Sequence, residues 1–147
     1  MQLHELKFTT LEARTEEELI GNLLLVHLHH CTLNQADALK ALWLEVEEYS
    51  DQISENTKND HFYAAKKHFY FKEIQVEAFF IKLHTISSKF DKCSNKTKKD
   101  VKLIEDFLLS SKNKISLISI LHDEFDDYDV FISLENEYVF FSWIDVI

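Results

Sequence analysis

Proline is absent from this 147-residue chain, Gly21 is its single glycine, and its only cysteines are Cys31 and Cys93. One glycine cannot write a Rossmann fingerprint, a P-loop or a nucleophile elbow, each of which needs several where backbone meets a phosphate or turns sharply. Few breakers also favour helices and leave the turns to Asn, Asp, Ser and Lys. Two cysteines are not a disulfide framework. They read as reduced thiols of a cytoplasmic protein, with one disulfide as the other option. No run of apolar residues suits a membrane span. Leu19 to Leu28 is too short, is interrupted by Asn22 and His27, and follows Glu16-Glu17-Glu18, where a signal peptide carries positive charge.

Basic residues are also missing where they would matter most. Residues 115–147 contain eight acids and no Lys or Arg. Net charge is −8 over 1–56, +6 over 57–114 and −8 over 115–147, giving −10 for the chain. Such a protein repels nucleic acid and anionic membranes at long range and attracts basic partners.

The chain length suits one domain, 1–147, with a helix-rich part (1–110) and a β-rich part (115–147). Residues 2–10 alternate weakly, as a strand or an irregular arm. Thr15 with Glu18 has the form of a capping box, which predicts a helix over about 16–30. Thr32 with Gln35 starts a second, carrying Leu39, Leu42, Val46, Tyr49 and Ile53 on one face. Phe62, Ala65, Phe69, Val76, Phe79, Leu83, Ile86 and Phe90 keep heptad-like spacing and predict one long helix, broken in pattern only by Lys72. A strand over 74–80 is the alternative there. Thr97 is the expected cap of a short fourth helix through Val101, Ile104 and Leu108. Alternation then returns, with strands expected near 115–121, over 128–134 and over 138–146, and a turn at Glu135-Asn136. The expected fold class is α+β: about four helices followed by a small C-terminal antiparallel three-stranded meander.

Candidate chemistry is sparse. On a helix, His27 would share a face with His30 and Cys31 and could hold zinc. The other explanation, imidazoles at a helix end bonding its last carbonyls, accounts for them without metal, since no second ligand pair follows. His61 and His68 lie among Lys and aromatic residues, a combination that can bind single-stranded nucleic acid but also describes a solvated helix face. Asp126, Asp127 and Asp129 lack the glycine and distal glutamate of a calcium loop. Neither cysteine sits in a cysteine-enzyme signature. The expectation is a protein that is not an enzyme, with no cofactor and no metal.

The acidic tail makes more physical sense as a surface. Alternation places Tyr128, Val130, Ile132, Tyr138 and Phe140 towards the core. Phe131, Phe141 and Trp143 are left with Asp126, Asp127, Asp129, Glu137 and Asp145 as a candidate partner-binding face. Aromatics would anchor a partner, and carboxylates would steer it. The alternative is that helices cover both faces of the sheet. In composition the chain resembles the small acidic immunity and antitoxin proteins, which inhibit toxins such as nucleases by covering a basic active site. The resemblance implies a cytoplasmic inhibitor of a basic protein, with no direct binding to nucleic acid or membrane. A metal-dependent enzyme or sensor built on His27, His30 and Cys31, and a helical adaptor or oligomerisation module built on 62–90, are the alternatives.

Overall fold

The computed structural model describes residues 6–15, 20–124 and 126–145. Its centre is a six-stranded antiparallel sheet, not a C-terminal meander alone. Two strands lie in the N-terminal part: β1, Lys7–Arg14, and β2, Gly21–His29. With β3, Lys72–Glu73, β4, Leu117–Glu124, β5, Asp127–Leu134, and β6, Glu137–Asp145, they follow the spatial order β1-β2-β6-β5-β4-β3. The expected strands β4 to β6 are present, and Asn136 takes the left-handed position of the β5–β6 turn at φ 59°.

The expected helix over 16–30 is corrected to β2. This strand lies between β1 and β6 and is buried on both sides. Leu23 and Leu25 pack in one core cluster, Val26 and Leu28 in the other. A strand covered on both faces reads as a continuous apolar run, which periodicity alone does not distinguish from a buried helix. Thr15 closes the β1–β2 connection instead of capping a helix. Its Oγ1 accepts from the backbone N–H of Ile20 at 3.1 Å. Glu18, the other half of the expected capping box, lies outside the described residues.

Helix α1, Gln35–Glu47, is capped two residues after the expected Thr32. Asn34 is its cap and accepts from the Asp37 N–H at 2.9 Å. Helix α2, Glu55–Lys66, is capped by Ser54. The long helix expected over 62–90 does not exist as one element. Phe71 turns the chain at φ 52°, β3 pairs with Ser119 and Ile120, and α3, Val76–Ser88, begins afresh. The apolar stripe is therefore shared between two cores. Phe62 and Phe69 belong to the cluster with α1, whereas Phe79, Leu83, Ile86 and Phe90 belong to the cluster on the opposite face. The chain crosses from one face to the other around the β3 edge, so the continuous helix behind the adaptor reading is absent. Helix α4, Asn95–Ser111, is capped by Ser94. Thr97 lies inside it, buried, and donates to the Arg14 carbonyl at 3.3 Å.

Helices α1 and α2 thus cover one face of the sheet, and α3 and α4 the other. No helix among the described residues is long and apolar enough to cross a membrane.

Candidate functional site

The eight residues of the expected partner-binding face do not share a face. In the β5–β6 register Phe131 lies opposite Phe140, so its side is that of Phe140, not of Phe141 and Trp143. All three rings are buried. Phe131 stacks on Tyr138 with centroids 5.6 Å apart, Phe141 meets Phe79 edge-on at 5.4 Å, and Trp143 meets Phe90 at 5.4 Å. The premise that these rings are exposed anchors is corrected: both faces of the sheet carry helices, and the rings are core. The acids scatter. Glu137 is half-buried beside His27, Asp145 lies 3.5 Å from Lys89, and Asp126 is exposed at the β4–β5 tip.

Asp127 and Asp129 do converge, with two residues that the sequence did not single out. The pairing of β4 with β5 shifts between Ile120 and His122, so that His122 lies opposite Asp129. Such a bulge re-aims a side chain. Leu121 packs in the α1–α2 cluster, and His122 Nδ1 lies 2.8 Å from Asp129 Oδ2. From β6, Ser142 Oγ donates to Asp129 Oδ1 at 2.6 Å. The order is hydroxyl, carboxylate, imidazole. In a nucleophilic relay the imidazole stands in the middle and takes the hydroxyl proton. Here the hydroxyl donates to the carboxylate and the imidazole stands on its far side, so the order is not that of a Ser–His–Asp relay.

Burial, then the adjacent Asp129, push the Asp127 carboxyl up to about 7. The folded state therefore binds this proton more tightly than the unfolded chain, and stability falls as pH rises from about 4 through about 7. Asp127→Asn is expected to be more stable than the natural protein at pH 8, with the difference vanishing near pH 4. Urea denaturation at the two pH values measures this. A gap that does not depend on pH would show that Asp127 ionises normally.

Helix α1 brings more carboxylates over the same side. Partial burial and Asp129 raise the Glu47 carboxyl above the usual range, which places Glu47 within electrostatic reach of the cluster. Glu45 and Glu48 line a cleft of about 190 Å³ with Glu12, Arg14, Ser142 and Ile144. On the other side, Tyr70 OH donates to Glu124 Oε1 at 3.1 Å, and its ring meets His122 edge-on at 6.2 Å. That bond, partial burial and the charges of Glu124 and Asp123 raise the Tyr70 phenol. An acidic band thus crosses one end of the sheet. Its exposed apolar groups are not the expected ones. They are Tyr70 at 52%, Phe71 at 47% and Ile144 at 47% of full exposure. A bulky residue at positive φ is uncommon, and it is the left-handed turn at Phe71 that carries the chain past this ring to β3.

The expected His27, His30 and Cys31 grouping is also corrected. On a strand, His27 shares its face with His29. His30 is exposed beyond the strand, and Cys31 is buried in the α1–α2 cluster. Among the described residues two sets bring potential ligand atoms within 4.8 Å of one another: His27, His29 and Glu137, and His122, Asp127 and Asp129. In the second set Asp129 is already bonded by both His122 and Ser142.

No family model, no curated protein and no solved structure matches the chain.

Proposed function

We propose that the acidic band is a docking surface for a basic protein, and that the chain is an inhibitor of the immunity or antitoxin kind. The observation that carries this reading is the placement of Tyr70 and Phe71, exposed beside Asp123, Glu124 and the His122 cluster. Aromatic side chains that half emerge among carboxylates combine the two ingredients of a tight interface: anchors that control dissociation and charges that control encounter. The acids would take the place of the phosphates that Lys and Arg of a nuclease expect. Action by binding and not by catalysis, a cytoplasmic location, and the absence of direct contact with nucleic acid or membrane are parts of the same proposal.

The test is capture by the immobilised chain from cells that produce it, followed by measured affinity and by assay of the captured protein's own activity. The expected partner is basic, and its activity falls on binding. Tyr70→Ala is expected to weaken the complex by about 2 kcal/mol or more if that ring is a central anchor. A neutral or acidic partner, or a basic one bound equally well by folded Tyr70→Ala and Phe71→Ala variants, would place binding elsewhere.

A further inference from the structure

We propose that His27, His29 and Glu137 form a zinc-binding site. It is separate from the acidic band, on the opposite face of the sheet and at its other end: His27 pairs with Val139, whereas Asp127 pairs with Ile144. It depends on nothing in the inhibitor reading.

The site follows from strand geometry. Residues two apart on a strand point to the same side, which places His27 and His29 together. The last β2–β6 pair is Leu28 with Tyr138, and the next step brings Glu137 to the level of His29. One nitrogen from each histidine and one Glu137 oxygen then lie within 4.8 Å of one another. The histidine rings are 4.0 Å apart at their centroids.

Two observations point to an ion instead of a simple polar contact. The His27 side chain is only 9% exposed, and its Nε2 has no hydrogen-bond partner. Buried polar atoms are normally satisfied, so an orphan of this kind calls for an explanation. That same nitrogen lies 3.4 Å from Glu137 Oε1. Zinc bonds of about 2.0–2.1 Å at a tetrahedral angle set neighbouring ligand atoms roughly 3.3–3.4 Å apart. The separation is long for a hydrogen bond and right for two ligands of one ion.

The surroundings suit the chemistry. His29 Nε2 is tied to Thr9 Oγ1 at 2.6 Å, fixing the ring and leaving Nδ1 as its second donor atom. A metal-binding histidine commonly has its other nitrogen held in this way. Phe107 of α4 packs on His27 at 4.8 Å and gives the site an apolar wall. Two imidazoles and one carboxylate favour zinc over calcium or magnesium, which take oxygen ligands. Three protein ligands leave the fourth position for water or an added ligand.

The experiment is a zinc titration of the untagged full chain, stripped by chelator and followed by competition with a chromophoric chelator. One zinc per chain is expected, with Kd at or below about 1 μM. His29→Gln and Glu137→Gln, each confirmed folded by circular dichroism, should weaken binding at least about 10-fold, whereas His122→Gln should leave it unchanged. Imidazole NMR signals of the natural chain give a readout that needs no variant. Those of His27 and His29 should move on adding zinc, and that of His122 should not. Absence of stoichiometric binding at micromolar zinc would overturn the proposal. So would undiminished affinity in both folded variants, or ring shifts confined to His122 and the exposed histidines.

Discussion

Phe79→Ala is expected to cost about 3–5 kcal/mol of folding stability, the range for deleting a fully buried aromatic ring. Phe79 is 0% exposed on α3 and inserts edge-on against Phe141 of β6, the strand paired with both β2 and β5. It also touches Phe80 and shares a cluster with Leu83, Ile86 and residues of α4. Removing the ring leaves a cavity between α3 and the middle of the sheet that rigid neighbours cannot close. Domains are stable by only about 5–15 kcal/mol, so the loss would be a large part of the total. Chemical denaturation measures it. A cost well under about 1 kcal/mol would show that α3 does not pack as described.

Gly21→Ala is expected to be nearly as damaging, although it adds one methyl group. A Cβ at Gly21 would lie 2.4 Å from the Trp143 ring and 2.5 Å from the Ile144 carbonyl oxygen. The second contact is with backbone held in the β2–β6 pairing, where Gly21 lies opposite Asp145. A rotamer change of Trp143 cannot relieve it, and Trp143 is itself wedged against Phe90. Overpacking of this kind costs about 1–3 kcal/mol, and the backbone contact points to the upper end. The single glycine of the chain is thus where two strands and a tryptophan meet too closely for any side chain. Denaturation midpoints of the two proteins test this, and an unchanged midpoint would mean that β2 can move away from β6.

What the sequence made legible, and what it hid, follows from how each segment is buried. The β5–β6 hairpin was readable because alternation survives there and Asn136 can take positive φ. β2 was unreadable as a strand because both its faces are covered, so Leu23 to Leu28 present no polar side. The 62–90 stripe misled because two short helices on opposite faces of the sheet happen to continue one spacing. The break between them, at Phe71, uses no proline or glycine. The legibility of the candidate sites follows from the same geometry. Reading His27 on a helix joined it to His30 and Cys31, whereas a strand joins it to His29. Asp127 and Asp129 could be placed together by alternation. His122 and Ser142 could not, because one depends on a bulge and the other on register across strands. Aromatics are densest in the tail, and by sequence alone that density suggests anchors there. Density there reflects core packing, and the exposed rings beside the acidic band lie at the α2–β3 turn.

The most direct measurement for the inhibitor reading is the association rate of the captured basic partner as a function of salt, for the natural chain and for a variant carrying Asp123→Asn, Glu124→Gln and Asp126→Asn. These three carboxylates are exposed at the β4–β5 tip, beside Tyr70. Charges at an interface rim act chiefly on encounter, and salt screens them over about 8–10 Å. The natural chain is expected to associate quickly at low salt and to slow steeply as salt is added. The variant is expected to associate more slowly with a flatter salt dependence and an almost unchanged dissociation rate. Equal association rates and equal salt dependence for the two folded proteins would contradict the acidic band as the docking surface.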